Sequence, residues 1–505
     1  MGSLSDNVEK RWKYSSIVGP YPSGILPVAD CLTPSLLELL GLVALLLFYS
    51  LSELFLGDEL QSVTQIIGPI CLSAILFLGT FRMLDISKNA LWSGFFWFRI
   101  SAAVYFGIGS ILHLFFNEYT LARVSAFYLA SPEELRKINA INALSVFFVL
   151  ATAWLVGHLY PFKAKIALTQ SDGRFTLATA ALFLGIGYSV KYLVIVPQAL
   201  GAFDQFAFAS ALSFFIWLAP TGLFLFTLWC LKYSRRYLPL AIILVASEVV
   251  VGLLLFSKSE VVLPLLMFLL GHLYYKFSRI RLIGLAIIIL FVFIIVEPTT
   301  GYGRQELSSR YGELRAAGLN ERLAIFGKYF RAEKGSINQE DFQGSLVRFA
   351  YIHSAAPAVA QYDMGRPGDS LEHILYIFIP RILWPGKPVF DMGANYTRLI
   401  DGTDTSSTWM GYFAEAYWNF GWGGVPLIMI PLGFVYVATG RYALRMIDAG
   451  AWMHLPVAFL GIWMGMRTDG TIVTDIASSV VVMVAFHILA IFATAWLETI
   501  TAQQR

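Results

Sequence analysis

Residues 345–388, SLVRFAYIHSAAPAVAQYDMGRPGDSLEHILYIFIPRILWPGKP, differ from the rest of the chain. Most of the sequence consists of long apolar runs joined by short basic links, whereas this stretch places Arg348, His353, Arg381 and Lys387 beside apolar and aromatic residues. Ionisable groups are costly near a lipid bilayer unless they have a role there. The stretch separates two groups of apolar runs, and it is where we expect the functional site.

The composition is that of an integral membrane protein. Of 505 residues, 57% are hydrophobic and 14% charged, with a mean hydropathy of +0.66; soluble domains carry about 25% charged residues. The apolar runs are continuous and about 20 residues long, which indicates helical spans and not barrel strands. We therefore predict an all-α, polytopic membrane protein of about twelve transmembrane helices. The expected spans are 35–56, 63–81, 90–116, 139–160, 175–200, 209–231, 238–257, 260–276, 280–297, 422–440, 452–467 and 476–498.

Four segments follow from this pattern. We expect a polar cytoplasmic lead (1–34), an N-terminal bundle of about nine helices (35–297), a large outer loop (298–408) and C-terminal transmembrane helices (409–505). Basic residues concentrate in alternate short links, which places the N- and C-termini in the cytoplasm. One outer link, Asn117–Lys137, breaks the pattern because it contains Arg123, Arg136 and Lys137.

The outer loop has the composition of helices. Residues 303–334 are rich in Ala, Leu, Glu and Arg, and apolar residues recur there at spacings of three and four. Residues 346–361 and 371–384 read as further short helices, the second ending at Pro385. The loop is thus expected to form a helical cap on the outer membrane surface.

Two cations stand in the proline-flanked sequence Ile379–Pro388. Arg381 and Lys387 on a stiff turn at the membrane surface suit an anion, above all a phosphate or diphosphate group. The same residues, with Trp384, also suit an interfacial anchor. Residue types alone leave both interpretations open.

Three further positions carry candidate chemistry. His353, five residues after Arg348, is a candidate general base, or a histidine that only hydrogen-bonds within the cap. Glu415, before a glycine-rich break at 421–424, is an acid that an aromatic belt does not need. Arg467 can add a cation to the cap or pair with Asp469. The aromatic and amide residues suited to binding sugars are Tyr417, Trp418 and Asn419.

Other ionisable residues give weaker signals. Lys191 and Glu248 lie inside apolar runs, where they pair with each other or line a polar cavity, and Arg99 lines a cavity near the cap or stabilises the bundle. An acidic turn, and not a metal site, is expected at Asp391, Asp401 and Asp404. Three scattered cysteines predict neither a disulfide nor a thiolate metal site. The sequence contains no Walker A loop, Rossmann glycine pattern or nucleophile elbow.

The order of features from 345 to about 435 resembles the Wzy-type polymerases of bacterial O-antigen and exopolysaccharide repeat units. The resemblance rests on the loop arginine Arg348, a Pro- and Gly-rich link, the motif Ile-Pro-Arg-Ile-Leu-Trp-Pro-Gly-Lys-Pro at 379–388, a Ser/Thr run at 405–408, and Glu415 followed by Asn-Phe-Gly-Trp-Gly-Gly at 419–424. It implies a GT-C-like membrane glycosyltransferase in the bacterial inner membrane, with the large loop in the periplasm.

The resemblance also implies the chemistry. Such enzymes join two polyprenyl-diphosphate-linked oligosaccharides without a nucleotide donor, a metal or another cofactor. The departing diphosphate would be bound by Arg348, Arg381, Lys387 and Arg467, and Arg381 together with His353 or Glu415 as base would be catalytic. Tyr417, Trp418 and Asn419 would hold the sugars.

The expected partners are the lipid-linked oligosaccharides and the bilayer, with a chain-length regulator and a flippase left open, and no nucleic acid. An O-antigen-ligase-like transferase is the first alternative. A lipid-linked oligosaccharide flippase or transporter is the second.

Overall fold

The computed structural model describes residues 31–55, 58–160, 173–202, 212–311, 317–331, 344, 346–379, 383–384, 386–388, 392–402 and 408–503. Every regular element in these ranges is a helix, and they contain no strand. The all-α prediction is therefore confirmed for the described part of the chain.

The helices are numbered in chain order. The first nine are α1 (Leu36–Phe55), α2 (Asp58–Ile86), α3 (Gly94–Ala102), α4 (Glu118–Tyr128), α5 (Pro132–Leu159), α6 (Gly173–Val190), α7 (Leu218–Tyr233), α8 (Leu238–Leu254) and α9 (Lys258–Tyr275). The rest are α10 (Arg279–Tyr311), α11 (Leu319–Arg331), α12 (Tyr351–Asp363), α13 (Met392–Asp401), α14 (Tyr412–Ala449), α15 (Leu455–Met466) and α16 (Ser478–Gln503).

Several helices continue through tighter or wider turns. Helix α3 is extended by a π-helical segment, Ala103–Ile108, and then by short α-helical and 3₁₀-helical segments that end at Phe115. Helix α6 continues through a π segment, Lys191–Ile195, to Ala199. Helix α16 follows directly on the π segment Ile472–Ala477. Such segments are frequent at functional positions in helices.

Ten helical segments in the described chain are long and apolar enough to cross a membrane. They are Leu36–Phe55, Val63–Ile86, Gly94–Phe115, Pro132–Leu159, Gly173–Ala199, Ser213–Tyr233, Arg235–Leu254, Arg279–Leu307, Tyr412–Ala449 and Ile472–Thr494. The expected spans 260–276 and 452–467 coincide with α9 and with the shorter apolar segment Trp452–Met466, which are outside this set of ten. A multi-pass membrane protein is thus established, with ten candidate spans where the sequence predicted about twelve.

The apolar core lies between helices that pack against several neighbours. Helix α7 packs between α6 and α9, α14 packs along α5, and α15 packs against α3. The close approach of α15 to α3 depends on small residues: a Cβ on Gly94 would stand 2.2 Å from the carbonyl oxygen of Gly461. Small residues at helix crossings are the usual means by which membrane helices pack closely.

The segment 298–408 differs in detail from the helices predicted for it. Helix α10 runs unbroken through Pro298 to Tyr311, so the end predicted for the span 280–297 lies inside a longer helix. Helix α11 covers Leu319–Arg331 and α12 covers Tyr351–Asp363. The last predicted helix is a 3₁₀ segment, Ser370–Phe378. It ends before Pro380, and Ile379 is extended as residues preceding proline usually are.

Arg99 resolves one open sequence interpretation. Its guanidinium is fully buried and pairs with the carboxylate of Glu38 near the start of α1, and Arg82 from the end of α2 contacts the same carboxylate at 3.4 Å. Arg99 therefore stabilises the bundle and takes no part in the cap.

Candidate functional site

A cavity of about 800 Å³ lies between α4, the segment leading into α12, and the residues before α14. It is the larger of the two cavities that stand out in the described part of the structure. Its walls contain Tyr119, Thr120, Arg123, Val124, Ala126, Phe127, Tyr128, Glu297, Gly344, Val347, Arg348, Ala350, Tyr351, Ser354, Thr408 and Trp409. A cavity of this volume is within the size range of small-molecule sites.

Helix α4 is held in place by a cap at its start and by an apolar cluster. The Asn117 side chain accepts a hydrogen bond of 2.7 Å from the Thr120 amide, which caps the helix start. Along the cavity wall, Phe116, Val124 and Ala350 form a buried apolar cluster with the partly buried Leu346 and Val347. This cluster fixes the backbone on both sides of Arg348, so the cavity wall is attached to the membrane-spanning bundle.

The charges of the cavity centre on Arg348 and Glu297. The Arg348 Nε atom lies 3.5 Å from Glu297 Oε1, and the ammonium group of Lys258 contacts the other carboxylate oxygen. The Arg348 side chain is 59% exposed, whereas the Glu297 side chain is 10% exposed. Arg123 supplies a second cation from α4. The described lining residues thus include two guanidinium groups and a single carboxylate, so the cavity suits an anionic ligand.

Aromatic side chains complete the wall. Tyr119 and Tyr128 come from α4, Tyr351 from the start of α12, and Trp409 from the segment before α14. The Tyr351 hydroxyl donates to Asp469 Oδ2 at 3.1 Å, which anchors that ring. Burial raises the pKa of Tyr128, against the opposing effects of its hydrogen bond with Thr408 and the charge of Arg348. Aromatic faces with polar edges are the residue type that stacks on the apolar faces of sugar rings.

Glu415 lies outside this cavity, in a hydrogen-bonded cluster of its own. Its side chain is completely buried, and its oxygens accept hydrogen bonds from the Ser370 hydroxyl at 2.8 Å and the Ile472 amide at 2.7 Å. Asn419 donates to the same Ser370 hydroxyl at 2.9 Å and to the Glu415 carbonyl at 2.8 Å. Glu415 and Asn419 therefore join three parts of the chain, and their polar atoms are occupied by the protein itself.

Tyr417 and Trp418 are packed in the same region. The Tyr417 hydroxyl donates to Asp363 Oδ1 at 2.7 Å, and Lys137 bonds the other oxygen of that carboxylate at 2.6 Å. The Trp418 ring covers Gly368, where a Cβ would stand 2.4 Å from it, and the Trp418 carbonyl accepts from the Gly368 amide at 2.8 Å. The structure brings the three predicted sugar-binding residues together, but it does so inside the fold and not on the cavity wall.

His353 is also buried, beside the cavity and not in its wall. Its ring packs edge-on against His113, with the ring centroids 5.1 Å apart. Burial, with a smaller contribution from His113, lowers the pKa of His353 to about 4. A group this weakly basic is a poor general base near neutral pH.

The remaining predicted cations differ in their surroundings. Arg467 lies 3.4 Å from Asp469 and 3.3 Å from Asp475, so its charge is balanced within the protein. Lys387 donates to the Ile379 carbonyl at 3.1 Å and closes the turn at the end of the 3₁₀ segment. Arg381, Asp391 and Asp404 lie outside the described residues, as does the side chain of Asp401. Arg348 is the one predicted cation that lines the cavity in the part of the chain that the structure describes.

Sequence reasoning missed Arg123 and Glu297 as cavity residues. Both positions are unusual in the sequence. Arg123 belongs to the link Asn117–Lys137, which does not follow the predicted distribution of basic residues, and Glu297 ends an apolar run immediately before Pro298. A charged residue in a link predicted to lack basic residues, or at the end of an apolar run, is costly near a membrane unless it has a role there. The cavity provides that reason for both residues.

The arrangement can bind an anionic group between Arg123 and Arg348 while aromatic rings contact an adjoining ring system. In the described ranges, no group of three or more metal-ligating His, Cys, Asp or Glu side chains lies together. No protein-family model matches the chain, and neither a curated protein nor a solved structure is significantly similar to it.

Proposed function

We propose that the protein is a membrane glycosyltransferase that polymerises polyprenyl-diphosphate-linked oligosaccharide repeat units into a surface polysaccharide on the outer face of a bacterial inner membrane. The observation that carries the proposal is the cavity of about 800 Å³ with Arg123, Arg348 and five aromatic side chains in its wall. A diphosphate needs cations, and the adjoining sugars need aromatic and hydroxyl groups.

In this proposal the chemistry is displacement of a diphosphate. The negative charge that develops on the leaving oxygen is stabilised by the guanidinium groups of Arg348 and Arg123. Tyr128, Tyr351 and Trp409 orient the sugars next to that charge. Glu415 and Asn419 support the site by fixing the segment that carries Trp409, and they do not touch substrate.

The test is a reconstitution of the purified protein in nanodiscs with a polyprenyl-diphosphate oligosaccharide as its sole substrate, followed by gel analysis. We expect a ladder of products for the wild type. Arg348→Ala should reduce the rate at least about 100-fold, because removing one donor to a developing anion typically costs that much. Arg310→Ala is the matched control, since Arg310 is an exposed arginine of α10 that pairs with Glu306 and does not line the cavity. A normal ladder from Arg348→Ala would contradict this site assignment.

The same assay separates the alternatives. A single product that forms only with a different acceptor would identify a ligase. If a folded preparation gave no product with either acceptor, the polymerase proposal would be rejected.

A second candidate function, proton-coupled transport, is favoured by one observation. Lys191 lies between α8 and α9, with Nζ 2.5 Å from both Glu248 and Glu260, and Tyr192 donates to Glu248 at 2.5 Å. A cavity of about 20 Å³ beside these groups has room for one water molecule. Transport would require a gradient across sealed vesicles, whereas the polymerase ladder forms in nanodiscs, which separate no compartments.

A further inference from the structure

Glu297 occupies a special position in the cavity. It lies on α10 immediately before Pro298, it is buried except for the cavity face, and it is the one carboxylate among the described lining residues. A carboxylate accepts hydrogen bonds and protons and donates neither. The charge and location of Glu297 therefore suit a group that removes a proton from a bound molecule.

The partners of Glu297 hold it in place from two sides. Lys258, at the first position of α9, contacts one oxygen, and Arg348 Nε lies 3.5 Å from the other. The contact with Arg348 uses Nε, so within the described residues the terminal nitrogens of that guanidinium are available to an anionic ligand. Glu297 and the anion-binding site are thus adjacent, and Arg348 belongs to both.

The other candidate bases are placed less well. Both Glu415 oxygens accept hydrogen bonds from the protein, and the fully buried side chain does not line the cavity. His353 is buried as well, and it packs on His113 instead of facing the cavity. Glu297 is the carboxylate that a ligand bound to Arg348 would meet.

We propose that Glu297 is the general base of the glycosyl transfer, an inference that rests on the proposed function. The acceptor hydroxyl oxygen attacks the anomeric carbon of the donor sugar, and its proton passes to a Glu297 carboxylate oxygen. The bond between the anomeric carbon and the diphosphate oxygen breaks, and its electron pair leaves with the lipid diphosphate. Arg348 and Arg123 stabilise the charge on that leaving group. A single displacement of this kind inverts the anomeric configuration.

The experiment compares Glu297→Gln with wild type in the nanodisc assay, with and without sodium azide. Glutamine keeps the size of the side chain but cannot accept the proton, so the ladder should weaken about 100- to 10,000-fold. Azide attacks without losing a proton, so it should restore consumption of the donor in the variant and yield a glycosyl azide of inverted configuration. Glu306→Gln is the control, because Glu306 lies further along α10 and pairs with Arg310 and Lys328.

The outcomes are distinguishable. A normal ladder from Glu297→Gln, or loss of the ladder with no glycosyl azide in a variant that still binds the lipid-linked donor, would overturn the role of Glu297 while the wild-type ladder upheld the proposed function. The second result would indicate that Glu297 only positions Arg348 and Lys258. No ladder from the wild type would reject the proposed function, and the role of Glu297 with it.

Discussion

The partners of each arginine, more than its exposure, decide what that arginine can bind. Arg467 is partly exposed and near Tyr351, yet it faces Asp469 and Asp475. Burial raises the pKa of Asp469, although the charge of Arg467 opposes that rise. Among the described residues, Arg348 pairs with a single carboxylate, that of Glu297, which it shares with Lys258. A ligand with two negative charges therefore gains more from Arg348, and Arg467 serves to anchor the Tyr351 ring through Asp469.

His353 gives a pH-dependent prediction at the scale of one residue. Its pKa of about 4 lies below the unfolded value of about 6.5, so the folded state binds fewer protons than the unfolded state below pH 6.5. Stability is therefore complete above about pH 6.5 and is lost as the pH falls towards 4. At pH 5 the loss from this residue should be about 2 kcal/mol. His353→Gln should reduce the fall in Tm between pH 7.5 and pH 5.

The measurement is thermal unfolding in detergent at the two pH values. His158→Gln is the control, because His158 is exposed and its ring bonds only the Trp154 carbonyl in the described structure. An equal fall in Tm for wild type and His353→Gln would show that this histidine does not contribute to the pH dependence.

At the scale of a helix, α14 contains a sharp bend. Phe420 and Gly421 have non-helical backbone angles, and Gly421 has φ +60° and ψ −148°. The bend brings the two parts of α14 together: a Cβ on Gly424 would stand 2.1 Å from the Ala416 carbonyl oxygen. The short first part, which carries Glu415 and Asn419, therefore runs in a different direction from the second part of this candidate span. The glycine-rich break expected from the sequence is confirmed at this position.

The bend predicts a specific sensitivity to substitution. Gly421→Ala would place a Cβ 2.5 Å from the Tyr362 hydroxyl and would force an alanine into a positive-φ conformation. We expect a destabilisation of about 1–3 kcal/mol, as is usual for a side chain held in such a backbone conformation. Gly423→Ala is the matched control: no atom lies within 4 Å of its Cβ, and alanine favours the helix. Thermal unfolding of both variants tests this, and equal Tm values would contradict the argument.

At the scale of the whole molecule, one buried ion pair connects distant parts of the bundle. Arg99 on α3 is completely buried and pairs with Glu38 on α1, while the Arg82 side chain also bonds the Thr33 carbonyl at 3.1 Å. Glu38→Ala would leave a buried guanidinium without its carboxylate. Removing one partner of a buried pair costs about 3–5 kcal/mol.

The prediction is a large loss of Tm for Glu38→Ala with substrate binding to the remaining folded protein unchanged, since this pair is not part of the cavity. Glu53→Ala provides the comparison, because Glu53 is an exposed residue on the same helix. A Glu38→Ala variant as stable as the Glu53→Ala variant would rule out a stabilising role for the pair.

Helix formation and membrane insertion could be predicted from the sequence because both depend on local patterns. Apolar runs of about 20 residues specify spans wherever they occur. The unbroken α10 was not predicted, because Pro298 and the onset of polar residues resemble a helix end. A proline in a long helix is tolerated when the surrounding structure holds both halves, and only the fold supplies that information.

The candidate site was predicted in part. Arg348 was found because a charge beside apolar residues is unusual, but its partner Glu297 and the second cation Arg123 are far away in sequence and meet only after folding. The buried cluster around Glu415 differs from Arg348, because its residues were predicted as site residues but do not line the cavity. Its residue types suit sugar binding, but whether a side chain faces a ligand or its own fold depends on packing that no local pattern records.

The length of α10 indicates where Glu297 lies relative to the bilayer. Glu297 lies eighteen residues along α10 from Arg279, or about 27 Å at about 1.5 Å per residue. The hydrocarbon layer of a bilayer is about 30 Å thick. If Arg279 marks one membrane surface, Glu297 and the cavity stand level with the head groups of the opposite leaflet. A lipid-linked diphosphate could then reach Arg348 by lateral diffusion in that leaflet, with its tail still in the bilayer.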